Sequence, residues 1–221
     1  MWLPMSTNAA LRHTHGHDHG VDLDDTFDFL NTFEYEDGFP VERLPDLSTT
    51  VEWFVGRGVC HTDARAIAGD ETALERTRRV RAALREIADA VAEERAPSQA
   101  ALDTVNRTIR ARSATELTAA PDGVGVGHRH VGDPLDDALA RIAEPLVNEL
   151  AGGRPDRVRV CDNESCRWVF YDASRAGRRR WCDMASCGNR AKAARHRARK
   201  RAAVASEAPS ADASSASLTA V

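Results

Sequence analysis

Residues 158–201 read VRVCDNESCRWVFYDASRAGRRRWCDMASCGNRAKAARHRARKR, and this stretch holds four of the chain's five cysteines. They fall in two pairs, Cys161 with Cys166 and Cys182 with Cys187, with four residues inside each pair and fifteen between the pairs. Two thiolate clamps joined by a hairpin-sized loop suit one tetrahedral Zn²⁺, whose four soft ligands close the coordination shell and leave no place for a labile water. A site of this kind is structural and contributes folding energy, whereas catalytic zinc keeps one position open. Two disulfides are the other reading of the same cysteines. Residues 1–20 lack the apolar run of a secretory signal, so a reducing, cytoplasmic setting is expected, where clustered cysteines bind metal more often than they pair.

The run Trp181-Cys182-Asp183-Met184-Ala185-Ser186-Cys187-Gly188-Asn189-Arg190 follows Cys161-x4-Cys166 and Phe170-x-Asp172-x-Ser174-Arg175. Together these resemble the CGNR zinc-finger module, named for the four residues from Cys187 to Arg190. In that family the module stands at the C-terminus of bacterial proteins described as stress-induced transcription regulators, behind a helical domain called ABATE. At the other end of the chain, Asp28-Phe29-Leu30-Asn31-Thr32 resembles the Asp-Phe-x-Asn-Thr signature that starts ABATE domains. Here it is preceded by Asp22-Leu23-Asp24-Asp25-Thr26, which is less apolar than the family's usual run. The resemblance implies bound zinc and DNA binding by the module.

A chain of 221 residues with 42% hydrophobic content holds one good-sized domain and a small module. No run approaches twenty apolar residues, which excludes a helical membrane span. The formal charge of −4 conceals an asymmetry. From Arg154 to Arg201 there are fifteen Lys or Arg against five Asp or Glu, a surplus of ten positive charges, so the remainder of the chain carries fourteen negative ones. A basic module on an acidic body points to a polyanion partner for the module alone. His13, His15, His17 and His19 alternate near the N-terminus. They suit either a metal sensor or an unstructured tail that binds metal without using it; the intervening Gly16 and Asp18 favour the tail.

The expected fold is mainly α: disordered residues 1–20, a helical domain over 21–151 with a small β-hairpin, a zinc module over 155–203 of knuckle or treble-clef type ending in a basic helix, and a disordered 204–221. Leu23, Phe27, Leu30 and Phe33 mark one face of a first helix. Thr49 to Glu52 forms a capping box for a second, which carries Val51, Phe54 and Val55 and ends at Gly56 and Gly58. The strongest helical pattern spans 70–95, with Leu74, Thr77, Val80, Leu84, Ile87, Ala88 and Val91 in one stripe. Its arginines, among them Arg76, Arg78, Arg81 and Arg85, interleave with Glu71, Glu75, Glu86 and Asp89 and are expected on a salt-bridged solvent face. Pro97-Ser98 opens another helix, Pro121-Asp122-Gly123 turns a hairpin within 117–131, and Asp133-Pro134 opens the last helix of the body, which Pro145 should kink. Cys60 reads as an ordinary half-buried thiol. Asp28 and Asn31 could reach a ligand pocket or could buttress the end of the first helix; the short side chains favour the second reading.

Within the module, Ala191, Ala194, Ala198 and Ala202 line a narrow face expected to lie against the finger. Lys192, Arg195, His196, Arg199 and Lys200 share a basic arc suited to phosphates, and Arg178, Arg179 and Arg180 would add a second strip. Asn189 and Arg190 could read bases, with Arg195, or could cap the helix and support the zinc ligands. Arg159 and Arg167 are candidates for balancing the thiolate charge, and Gly188 is expected to let backbone N–H groups approach sulfur. The function that follows is a zinc-dependent, DNA-binding transcription regulator, with one structural Zn²⁺, a body that senses a small ligand or stress signal, and a homodimeric state of the kind that reads paired half-sites. The alternative is an RNA-binding or ribosome-associated zinc protein. An enzyme is the weaker expectation, because the sequence carries no P-loop, nucleophile elbow, dinucleotide fingerprint or metallohydrolase cluster.

Overall fold

The computed structural model describes residues 21–36, 38–60, 72–112, 114–120, 123–129 and 133–207. The histidine-rich residues 1–20, His61, the 121–122 turn, Val131 and the stretch 208–221 lie outside the described residues.

Helix α1, Leu23–Leu30, starts on Asp22, whose carboxylate accepts from the Asp25 N–H while Asp25 returns the bond to the Asp22 N–H. This reciprocal pair satisfies two donors that a helix start leaves orphaned. Thr26, Phe27, Phe29 and Leu30 are all buried, so the helix is covered on two sides, and Phe29 packs on Trp53 and Phe54 at 5.6 and 6.0 Å between ring centroids. Phe33 does not continue this face. It opens strand β1, Phe33–Glu36, which pairs antiparallel with β2, Phe39–Glu42, across a turn where Gly38 takes φ +87°. The sequence alone assigns no strand to this stretch. Its aromatic side chains face partly outward, with Phe39 74% exposed, so burial left no pattern to read.

Helix α2, Leu47–Gly56, is capped by Asp46, which accepts from the Thr49 N–H at 2.8 Å, and so begins three residues before the expected Thr49 box. Its end follows the sequence closely. Gly58 at φ +64° donates to Val55 and lets Val59 donate to Phe54, the paired bonds of a left-handed helix stop. Helix α3, Ala73–Ala92, is the central element, and α4, Gln99–Ile109, folds back on it from a Ser98 cap that Glu86 of α3 braces at 2.7 and 3.0 Å. Strands β3, Ala114–Ala120, and β4, Gly123–Arg129, form the expected hairpin, three residues longer at its start. Helix α5, Pro134–Gly152, begins at an Asp133 cap and runs on through Pro145.

The arginines of α3 depart from their expected role. Among the pairs formed by the described residues, Arg85 bonds within the helix, to Asp89 one turn on. Arg76 bonds Asp133 and Asp136 at the start of α5, and Arg78 donates to the carbonyls of Leu44 and Pro45. Arg81 is not on the solvent face at all: its side chain is 6% exposed, with one guanidinium nitrogen shared between Thr32 Oγ1 at 2.7 Å and Glu42 Oε1 at 2.8 Å and the other on Glu42 Oε2. Helical spacing shows which residues share a face but not that a carboxylate 39 residues away will meet one of them.

Burial pushes the Glu42 carboxyl up, but the bonds from Arg81 and the Leu44 N–H, with the charges of Arg81 and Arg78, outweigh that and hold it below its ordinary 4.5. A depressed carboxylate adds stability that is complete above its unfolded value and is lost as pH falls through the folded one. Glu42→Gln should therefore destabilise the body by on the order of 2 kcal/mol at pH 7, less than the cost of breaking a wholly buried pair because Glu42 keeps some solvent contact. The deficit should shrink in thermal melts taken below pH 4.5. An equal deficit at every pH would assign the loss to packing.

Candidate metal centre and nucleic-acid interface

After a single 3₁₀ turn at Pro155–Arg157, strand β5, Val158–Val160, pairs antiparallel with β6, Val169–Tyr171. In that register Arg159 lies opposite Phe170, and Val160 opposite Val169. Side chains alternate across a strand, so the two-stranded sheet has two occupied faces. Val158 and Val169, with Val160 and Tyr171 beside them, join the hydrophobic core built by α1, α3 and α5. Phe170 points the other way and packs with Trp168, Trp181 and the four cysteines.

The turn between β5 and β6 carries the first cysteine pair. Asn163 shapes it: its carbonyl accepts from the N–H of Cys166 at 2.8 Å and of Arg167 at 3.0 Å, and its side-chain oxygen accepts from the Ser165 N–H. Arg167 leaves the turn at φ +60°. The second pair lies at the turn opening helix α6, Asn189–Glu207. Asp183 caps that turn by accepting from the Ser186 N–H at 2.7 Å, and Gly188 donates to the Asp183 carbonyl at 3.0 Å. A Cβ at Gly188 would stand 2.3 Å from the sulfur of the half-exposed Met184, whose side chain would have to swing aside.

The four thiol sulfurs lie within 4.8 Å of one another, and all four cysteines are free of disulfides. The Cys166–Cys182 and Cys182–Cys187 sulfurs are 3.7 and 3.9 Å apart. Zinc–sulfur bonds of about 2.3 Å in a tetrahedron put sulfurs about 3.8 Å apart, so the cluster already has the size of a Zn²⁺ shell. Left as thiols, the groups compete for one negative charge: bonds from Cys166 and Cys182 hold Cys161 down at about 2, while the contact with Cys161 pushes Cys166 up to about 12 and Cys182 higher still. A dication removes that competition by allowing every sulfur to ionise. The chain holds a single structural zinc at this centre. Asn163 Nδ2 lies 3.4 Å from Cys187 Sγ and would stabilise a ligating thiolate. The Asn two residues after Cys161 was the sequence signal for this brace, since such residues close short turns.

Asp172 anchors the loop between the cysteine pairs. It is fully buried, accepting from the N–H groups of Ser174 and Arg179 at 3.0 and 2.8 Å. Burial raises its carboxyl, yet these bonds and that of the Ser174 hydroxyl outweigh it and leave the acid below its ordinary value. Of the three arginines that follow, Arg178 is exposed. Arg179 lies over Phe170 at 5.1 Å and donates to the Cys182 carbonyl. Arg180 pairs with Asp162 and lies over Trp181 at 5.1 Å, where Arg195 of α6 joins it at 5.9 Å.

Helix α6 is exposed along Ala193 to Ala202, and only Ala191 of the expected alanine face is partly covered. The helix projects from its first turn instead of lying on the finger. It also runs to Glu207, past the expected end near Ala202. Asn189 donates to the Ala185 carbonyl at 3.0 Å across the junction. Arg190, Lys192, His196, Arg199 and Lys200 are solvent-facing or nearly so. Asp28 and Asn31 do not share a pocket: Asp28 pairs with Arg57, while the Asn31 amide bonds both backbone groups of Val169, each at 2.9 Å.

Comparison with known families agrees with this architecture. Residues 26–153 match the ABATE family, described as "Putative stress-induced transcription regulator", and residues 157–200 match the CGNR zinc finger. The chain belongs to the ABATE family and carries a CGNR zinc finger behind that domain. No curated protein matches it significantly. No helix among the described residues is long and apolar enough to cross a membrane.

Because Val158 and Val169 sit in the body's core and Asn31 holds the Val169 backbone, loss of zinc should not leave the body untouched. Cys182→Ser should abolish stoichiometric zinc and lower the melting temperature of the whole chain, on the order of 10 °C for a loss of a few kcal/mol. Calorimetry showing a body transition at its original temperature would mean that the finger folds separately.

Proposed function

We propose that the chain is a zinc-dependent transcription regulator that grips duplex DNA with α6 and the arginines before Trp181. The observation that carries this reading is the helix itself. Arg190, Lys192, Arg195, Arg197, Arg199, Lys200 and Arg201 stand on an exposed helix, and none has an acidic partner among the described residues. In the body most arginines are matched to carboxylates, as at Arg43, Arg57, Arg76, Arg81 and Arg112, whereas the scattered Arg79, Arg107 and Arg110 have no acidic partner among the described residues. Unmatched positive charge on a protruding rod suits a groove lined by phosphates. Lys192, Arg199 and Lys200 serve as phosphate contacts; Arg195, held over Trp181, also fixes the helix on the finger. Arg190 and His196 extend the same surface, Arg178 and Arg180 form its second strip, and Asn189 braces the helix start.

Single-stranded RNA is the weaker partner on geometric grounds. Binding single strands relies on aromatic faces open to bases. Here Trp181 is overlaid by two guanidinium groups, and Trp168 packs at the metal cluster with its Nε1 donating to Glu34 at 2.7 Å. In this reading the helical body carries the response to a stress signal or small ligand, and paired copies read two half-sites.

Fluorescence anisotropy with matched duplex DNA and RNA across a salt series tests the proposal. Tighter, zinc-dependent binding to duplex is expected, with log affinity falling steeply against log salt. Arg199→Ala with Lys200→Ala should weaken binding to every duplex and reduce that slope by about two, because each phosphate contact contributes about one unit. An unchanged slope would place the contact surface elsewhere.

A further inference from the structure

A cleft of about 390 Å³ opens where the C-terminal end of α3 meets the finger. Arg159, Arg167, Arg178, Arg179 and Arg180 line it, with Glu93 on the helix side and Asp162 on the finger side. Its size falls within the range of small-molecule sites, roughly 300–1,000 Å³. Five like charges on one concavity repel one another unless each has a local partner.

Two of the five do. Arg179 is committed to the Cys182 carbonyl and the Phe170 ring, and Arg180 to Asp162 and the Trp181 ring. The other three are not satisfied in this way. Arg178 is exposed and has no partner among the described residues. Arg159 places one terminal nitrogen on the Gly177 carbonyl and has no carboxylate partner among the described residues; its Nε is buried and closed to the cleft, so only its terminal nitrogens could meet a ligand. Arg167 reaches Glu93 and Asp89 only at 3.5 and 3.7 Å, beyond good charge-assisted hydrogen bonds. Donor forks short of acceptors, gathered around one cavity, match the geometry of phosphate oxygens.

We propose that this cleft binds a small, multiply charged phosphate-class anion, held by Arg159, Arg167 and Arg178. A compact ligand fits better than a stretch of duplex. One wall belongs to the acidic body, where Glu93 would face the neighbouring phosphates of an extended backbone. A free anion brings only its own charge. It would also draw Arg167 away from Glu93 and Asp89 and so act on the seam by which the finger is held to α3. That regulatory consequence rests on the DNA-binding reading; the anion site itself does not.

The test is isothermal titration of the full-length, zinc-loaded chain with sodium pyrophosphate at fixed ionic strength, with sulfate as control and zinc retention verified. Saturable binding of one pyrophosphate per chain, at least tenfold tighter than sulfate, is expected. Arg159→Gln should weaken it about tenfold or more, since one forked phosphate contact is removed. Glu93→Gln should tighten it by removing a competitor for Arg167, and this gain of affinity cannot be produced by misfolding. Duplex binding should survive Arg159→Gln, and pyrophosphate binding should survive Arg199→Ala. Pyrophosphate that binds no better than sulfate would overturn the site. So would binding that Arg159→Gln and Glu93→Gln leave unchanged and Arg199→Ala removes, because the anion would then be occupying α6. Saturable pyrophosphate binding without any duplex binding would uphold the cleft and defeat the DNA-binding reading alone.

Discussion

The finger and the body are held together by a sheet of two three-residue strands, β5 and β6, that belongs to both. Its valines close the core formed by α1, α3 and α5, while Phe170 on its opposite face backs the cysteine cluster. Two strands are too few to persist alone in water. Here one face is stabilised by burial and the other by a metal, and the reciprocal bonds between Asn31 and the Val169 backbone fix the sheet's position on α1. Trp168 on Glu34, Tyr171 on Glu149 and Arg85 on the Arg167 carbonyl fasten its surroundings to β1, α5 and α3. Zinc therefore organises more than the 45 or so residues of a small module, because the strand between its ligand pairs is part of the body's core.

Charge is distributed with the same division of labour. In the body most arginines are matched to carboxylates, many on other elements, and the Arg81–Glu42–Thr32 group ties α3 to the first hairpin under cover. In the finger, Arg179, Arg180 and Arg195 lie over aromatic rings and stiffen the loop around the metal. Apart from the scattered Arg79, Arg107 and Arg110, the positive charge without an acidic partner among the described residues is concentrated on α6 and in the cleft beside α3. Matched charge holds the structure together, and unmatched charge marks where an anion would be received.

Much of this was legible in the sequence, because much of it is local. The cysteine spacing, the helix starts at Ser98 and Asp133, and the helical stripes all act within a few residues. What escaped was the meeting of distant residues. Asn31 looked like a helix-end residue, and it is one; its side chain also reaches a strand 138 positions away. Arg81 carried a solvent residue's signature into a buried site because its partner arrives on a different strand. The β1–β2 hairpin was hidden by Pro40 and by aromatics facing outward. The alanines of α6 suggested a packing face, but high helix propensity accounts for them without any packing.

Helix α6 has a further consequence for how salt acts on this chain. Nineteen residues at 1.5 Å rise extend about 28 Å, and past Arg195, which lies over Trp181, the residues through Ala202 are all exposed. Lys192 with Arg195, Arg195 with Arg199, Arg197 with Lys200 and Arg197 with Arg201 are like charges one turn apart, each opposing the helix by about 0.2–0.5 kcal/mol. Dissolved ions relieve that internal repulsion even as they compete for phosphates, so added salt works in opposite directions on the helical order of the free arm and on its hold of a polyanion. The same run of charge thus sets both the coil content of the unbound helix and the ordering free energy spent when it engages a partner.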